Sequence, residues 1–177
     1  LLTGWQGLEV RGGQLDNSSA GTLSSRDGAL DVVLTGALNN QEQGALVSRG
    51  NMRVEAESLD NSRQGILSTD GDLRLAITAG LLNAEGGLVA ASGNLEVQVT
   101  EIDNRAGQLS AGQDVRLSGN HLDNRAGQLS AQGGLSLELL GNLNNSQARI
   151  GSGGPLLITS AGVDNRAGQL VSQGLLS

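Results

Sequence analysis

The lone histidine and the arginines are the side chains whose type and spacing could support chemistry. His121 follows Gly119-Asn120 in a turn and lies two residues before Asp123. General acid–base catalysis or metal binding would require a partner, and Asp123 and Asp103 are the nearest carboxylates. A lone imidazole in such a turn is more typical of an exposed surface residue than of a ligand.

Other reactive groups are absent from the sequence. The chain has no cysteine, which excludes disulfides and thiolate metal sites. It contains no phosphate-binding glycine loop, no serine-nucleophile motif and no glycine-rich calcium nonapeptide. We therefore predict that the protein is not an enzyme and has no catalytic residue, metal ligand or cofactor.

Charge further restricts the possible partners. All eleven basic residues are arginine, and eighteen carboxylates leave a formal net charge of −7. This balance disfavours binding to nucleic acid or to anionic lipid. No apolar run approaches the ~18 residues of a membrane span, so we do not expect a membrane-embedded protein. Trp5 is the only aromatic residue and glycine numbers 28, a composition that suits many turns around a narrow aliphatic core.

The sequence is an internal repeat. The segment Ile102–Ala111 recurs as Leu122–Ala131 and again from Val163, almost unchanged. The unit reads Leu-[Asp/Asn]-Asn-x-x-Gly-x-Leu-x-[Ala/Ser]. We divide residues 1–177 into one repeat segment with an irregular partial coil at 1–14, full repeats starting at 15, 38, 59, 82, 102, 122 and 143, and a partial repeat at 163–177.

Each unit predicts three short strands. A second stretch alternates apolar and polar residues, as in Leu135/Leu137/Leu139, and period-two alternation is typical of half-buried strands. Further extended pieces centre on Leu122 and on Leu129, with glycine-containing turns between them. Units of 20–23 residues with three strands each predict an all-β fold, a parallel β-helix of about eight coils.

An asparagine recurs at the third position of the unit, where we take Ala84 as the exception. Stacked coils would align these amides into a ladder that satisfies their hydrogen bonds inside the rod. We favour this structural role over a ligand-binding one. The predicted ladder comprises Asn17, Asn40, Asn61, Asn104, Asn124, Asn145 and Asn165. The first three full units carry one extra residue after the asparagine, which predicts a one-residue bulge along one corner. We favour a plain turn variant over a change in the surface of the rod.

The Leu-Asp-Asn-Arg-Ala-Gly-Gln-Leu unit resembles the repeat region of filamentous-haemagglutinin-like exoproteins, including CdiA-type effectors of contact-dependent growth inhibition. The resemblance covers the chain from about Leu8 onward. It implies a right-handed β-helical filament in a protein secreted to the bacterial cell surface through an outer-membrane two-partner transporter. It also implies a stalk that projects binding or toxic domains, and we expect this chain to be a fragment of a longer protein.

Two binding functions remain open beside the stalk. Some β-helix proteins bind or cleave polysaccharides with carboxylates and arginines arranged along a groove. Here Arg105, Arg125 and Arg166 share one repeat position, each two residues after an aspartate. Stacking would align them, and we keep a carbohydrate-binding or carbohydrate-cleaving groove as the alternative to a solvated charge ladder. A receptor on a target cell is the other possible partner.

Overall fold

The computed structural model describes residues 1–177 and is built of 22 β-strands without a helix. All strand pairs are parallel, and each strand pairs with the equivalent strand of the next coil. The predicted all-β parallel solenoid of about eight coils is confirmed. No helix long and apolar enough to cross a membrane is present.

Three faces form the walls of the rod. The first face is a nine-stranded sheet that follows the asparagine turn in each coil. Its strands are Leu2–Gly4, Thr22–Ser25, Ala45–Ser48, Ile66–Thr69, Leu88–Ala91, Gln108–Ala111, Gln128–Ala131, Arg149–Ser152 and Gln169–Ser172.

The second and third faces belong to one thirteen-stranded sheet. The second face holds Leu8–Gly12, Leu30–Leu34, Val115–Gly119, Leu135–Leu139 and Leu156–Thr159, and the third face holds Leu15–Asp16, Ala37–Asn39, His121–Asp123, Asn142–Asn144 and Gly162–Asp164. In the middle coils one long strand runs through both faces: Met52–Asp60, Leu73–Leu82 and Leu95–Asp103.

Alternation along each strand separates the core from the solvent. In Leu30–Leu34 the first, third and fifth residues are buried, while Asp31 lies partly exposed between them. Thirty-four buried side chains form one continuous core, in which Leu109 stacks on Leu129 and so on along the rod. Each fully buried Leu, Ile, Val or Met side chain of this core contributes roughly 1.5–3 kcal/mol. One coil alone does not offset the entropy of ordering some twenty residues, whereas stacked coils cover each other's faces.

The strand register places one repeat differently from the sequence analysis. Leu81 pairs with Leu59 and Leu82 with Asp60, so this unit begins at Leu81 rather than at Leu82. Leu81 is 1% exposed, and Leu82 lies outward where other coils carry aspartate or asparagine. Two adjacent leucines fit the repeat equally well, and only pairing with the neighbouring coil decides which one enters the core.

Candidate functional site: the asparagine ladder and the arginine row

A continuous ladder of eight asparagines, seven of them buried and Asn165 partly exposed, runs through one corner of the rod. The structure places all seven asparagines expected from the sequence in this row, and it adds Asn83, which fills the gap assigned to Ala84. The Nδ2 of each amide donates to the Oδ1 of the next at 2.7–2.8 Å. The ladder therefore links every coil to the next with a side-chain hydrogen bond.

Backbone carbonyls accept further hydrogen bonds from the same amides. Asn40 Nδ2 donates to Gly44 O of its own turn and to Ile66 O of the next coil, both at 3.1 Å. Asn61 and Asn83 repeat this arrangement. Because these donors reach acceptors in two coils, the three amides fix both their own turns and the stacking distance. No buried polar side-chain atom is left without a partner.

The preceding Asp or Asn caps the same turn from outside. Asp103 Oδ1 accepts from the backbone N–H of Arg105 at 3.1 Å, and Asn144 Oδ1 does so from Ser146 at 3.1 Å. This side chain to backbone bond, two residues along the chain, is an Asx turn. It explains why the second position of the unit accepts Asp or Asn, since both offer the same oxygen.

The extra residue in the N-terminal units lies in the turn. Ser19 and Ala20 both have positive φ, 53° and 62°, whereas the short turn after Asn104 has one such residue, Ala106, at 53°. The adjoining first-face strands keep an unbroken register, so the extra residue makes a wider turn, in agreement with the turn variant favoured from the sequence, and no bulge enters these strands. Asn83 also begins a wide turn, which gives four wide turns instead of three. A shift of strand register occurs elsewhere, between Ile77 and Gly80.

Glycine closes every asparagine turn but one, because the ladder leaves little space for a side chain. A Cβ on Gly107 would lie 1.9 Å from Asn83 O and 2.7 Å from Asn104 Oδ1. Ala148 is the one departure among these turns. The asparagine of the coil before Ala148, Asn124, also differs from the others. Its Nδ2 donates to Asn145 Oδ1 but to no backbone carbonyl.

The arginine row consists of local ion pairs. Arg105 Nη2 lies 2.5 Å from Asp103 Oδ2, Arg125 Nη2 lies 2.7 Å from Asp123 Oδ2, and Arg166 repeats the pair with Asp164 at 2.6 Å. Ser146 occupies the equivalent position between Arg125 and Arg166, so only two of the three arginines are neighbours. The guanidinium groups are half exposed or more, and each is already bound to the carboxylate of its own coil. The row therefore has alternating, mutually neutralised charges.

These pairs shift the ionisation of the aspartates. Partial burial raises the pKa of Asp103, but hydrogen bonds from the Arg105 side chain and backbone outweigh it and leave that pKa below its ordinary value. Bonds from Arg166 lower the pKa of Asp164 in the same way. The pairs thus favour the charged form of both carboxyls.

We expect the folded rod to lose part of its stability in acid. A carboxyl whose pKa is lower in the folded chain stabilises it above the unfolded-state pKa, about 3.9, and that stabilisation is lost as the pH falls through the folded value. Carbon-13 NMR titration of the carboxyl groups should give midpoints for Asp103 and Asp164 below that value. Asp103→Asn, which keeps the Asx turn, should flatten the fall in unfolding midpoint between pH 5 and 2 relative to the unmodified chain. An unchanged profile, or midpoints at the ordinary value, would contradict these ion pairs.

His121 lies on the surface, and its Nδ1 accepts from the backbone N–H of Asn142 at 2.9 Å in the next coil. Its ring occupies the space beside Gly141, where a Cβ would lie 2.1 Å from Cε1. No group of three or more His, Asp or Glu residues is arranged to hold a metal ion. This histidine serves as a bridge between two turns.

A second polar ladder, not predicted from the sequence, follows the corner between the first and second faces. Asn51 Oδ1 accepts from the N–H of Asp72, Asp72 Oδ1 from Asn94, Asn94 Oδ1 from Asp114, and Asp114 Oδ1 from Gly134. These distances are 2.7–3.2 Å. The alternation of Asn and Asp at one repeat position was the available signal, because both types supply the required oxygen.

The fold and its ladders define a structural β-solenoid whose repeated polar residues bond to one another and to the backbone of their own and neighbouring coils. A sequence model of the haemagglutinin repeat matches residues 1–42, 27–80, 71–138 and 140–177. The chain therefore belongs to the haemagglutinin-repeat family, a structural and adhesin family whose members are generally secreted or cell-surface proteins. Comparison with curated proteins and with solved structures gave no match.

Proposed function

We propose that this chain is a stalk segment of a large bacterial exoprotein, exported by an outer-membrane two-partner transporter. Its role is to hold binding or toxic domains away from the cell surface, for adhesion or for contact-dependent growth inhibition. The observation that supports this proposal is the continuous asparagine ladder. The asparagine that recurs in every coil is hydrogen-bonded to the asparagine of the adjacent coil, so the repeat specifies a rigid rod.

The alternative, a carbohydrate groove on the arginine row, has less support. Arg105 and Arg125 are neutralised by their own aspartates, and a ligand would have to displace those pairs. The interrupted row also offers no long run of free positive charge. A sugar-binding function requires the unmodified chain to bind glycans and to lose that binding when Arg105, Arg125 and Arg166 are replaced together.

Coil insertion tests the stalk. Residues 104–123 form one complete unit, and insertion of three more copies after Asp123 preserves every stacked pair. We expect the longer chain to remain β-rich by circular dichroism and to gain about 14 Å in length at unchanged cross-section, because coils are spaced ~4.8 Å apart. Small-angle scattering measures both quantities. Inserting only residues 104–113 is the control, because half a unit misaligns the ladder and should abolish cooperative unfolding.

Binding assays on the original chain and on the chain with three added coils distinguish a stalk from a binding module. Fluorescently labelled original and extended chains should both fail to bind a glycan array or target cells, since a stalk carries no binding site of its own. Saturable glycan binding that is lost on replacing the three arginines would instead establish the carbohydrate groove.

A further inference from the structure

The outer surface of the first face is almost without charge. Its outward residues form two columns, one on either side of the buried leucine column. Column one is Thr22, Ala45, Ile66, Leu88, Gln108, Gln128, Arg149 and Gln169, and column two is Ser24, Val47, Ser68, Ala90, Ser110, Ser130, Gly151 and Val171. Arg149 is the single charged residue among them, although the chain has eleven arginines and eighteen acidic residues.

The two columns differ clearly in side-chain size in six of the eight coils, the exceptions being Thr22 with Ser24 and Gln169 with Val171. Ile66 shares its coil with Ser68, Leu88 with Ala90, and Arg149 with Gly151. In coils with a wide asparagine turn, column one is apolar or Thr and half-buried, and in coils with a narrow turn it is exposed Gln or Arg. The face thus has an apolar half and an amide half, each with large side chains beside small ones.

We infer that this face binds a second copy of the chain, parallel to the first, about a two-fold axis along the rod. Such an axis places column one of one copy opposite column two of the other at the same height. Ile66 then faces Ser68, Leu88 faces Ala90, and Arg149 faces Gly151 instead of another arginine. Large side chains meet small ones, as in dry sheet-to-sheet packing. The apolar half of one copy contacts the apolar half of the other, and the amide half contacts the amide half.

An antiparallel pair lacks this match. A two-fold axis across the rod sets column one against column one, which opposes large to large and small to small. Full overlap would also lay the apolar half around Leu88 on the amide half around Gln128. The arrangement of sizes therefore selects the parallel pair.

The area of the face fits a weak dimer. Eight strands ~4.8 Å apart and about four residues wide offer on the order of 500 Å² per copy. The total of about 1,000 Å² is at the lower limit for specific interfaces, so we expect dissociation at micromolar concentrations or above. The pairing goes beyond the stalk function, which a monomeric rod would serve equally well.

Sedimentation equilibrium of the 177-residue chain from micromolar to millimolar concentration tests the pairing. We expect a monomer–dimer equilibrium whose dissociation constant rises at least tenfold in Ala90→Arg. Ala76→Arg is the matched control, because Ala76 lies outward and half-buried on the second face and should leave the equilibrium unchanged. Both variants should keep the circular dichroism of the original. A chain that stays monomeric throughout, or equal effects of both variants, would refute the interface.

Spin labels distinguish the orientation. The chain has no cysteine, so Ser92→Cys near the middle of the face and Gln173→Cys near its end can each carry one label at the same corner, four coils apart. The parallel pair predicts the same label-to-label distance for both variants, because equivalent coils lie at equal height. Distances that differ between the two variants by ten ångströms or more would establish an antiparallel pair and refute the proposal.

Discussion

Asn104→Asp is expected to destabilise the rod strongly, by breaking the ladder in the middle of the stack. Asn104 is fully buried, its Nδ2 donates to Asn124 Oδ1, and its Oδ1 accepts from Asn83. An aspartate there loses the donor, places two oxygens against each other and buries a charge without a cation. A buried charge left without a partner in this way lowers the free energy of unfolding by about 3–5 kcal/mol. Guanidinium unfolding at pH 7, followed by circular dichroism, should show a correspondingly lower midpoint.

The pH dependence of this variant has a definite sign. Burial raises the pKa of the introduced carboxyl, so its penalty is present above that raised pKa and shrinks as the pH falls and the group is protonated. The difference between variant and original should therefore be smaller at pH 4 than at pH 7.

Asn144→Asp is the matched control for the ladder. Asn144 lies in the outward position that other coils fill with aspartate, and its Oδ1 caps the turn at Ser146. We expect its unfolding midpoint to stay close to that of the original chain. Equal losses in Asn104→Asp and Asn144→Asp would show that the buried ladder has no special role.

Gly107→Ala is expected to be nearly as damaging, for a steric reason. The added Cβ would lie 1.9 Å from Asn83 O, a backbone atom held by the stack, so the two coils must separate locally. Forcing extra volume into a packed core costs typically 1–3 kcal/mol and occasionally more, and we expect at least the upper value here. Thermal and guanidinium unfolding should both show the loss.

Gly80→Ala controls for the general effect of removing a glycine. The atom nearest to a Cβ at this position would be Glu101 O at 3.7 Å, which is ordinary contact. We expect no loss, or a gain of up to about 1 kcal/mol from reduced freedom of the unfolded chain. A Gly107→Ala chain as stable as Gly80→Ala would mean that this turn accommodates a methyl group, as the equivalent turn does at Ala148.

Much of this architecture follows from local pattern. Alternation in segments such as Leu135–Leu139 assigns an inner and an outer side without knowledge of the neighbours, and the recurrence of asparagine after Leu-Asp places the amides at one corner. The alignment of Arg105, Arg125 and Arg166 likewise follows from their shared position in the repeat unit. Repetition of the unit then implies stacking, because one coil cannot bury its own aliphatic side chains.

Features that depend on contact between coils could not be predicted. Ala106 has positive φ although alanine disfavours that region, and its N–H bonds to Arg125 O in the next coil. The choice between Leu81 and Leu82, and with it the place of Asn83 in the ladder, depends on pairing with Leu59. The ion pairs of Arg105, Arg125 and Arg166 with the aspartates of their own coils likewise depend on side-chain positions that only the structure gives.

The sequence by itself thus determined the repeat, the three strands per coil and the identity of most ladder residues, because side-chain polarity along a strand is a local property. Only the tertiary structure decided the register of the fourth unit, the wide and narrow turns, and the corner ladder of Asn51 and Asp72. These depend on hydrogen bonds between residues about twenty positions apart, which exist only once one coil lies on the next.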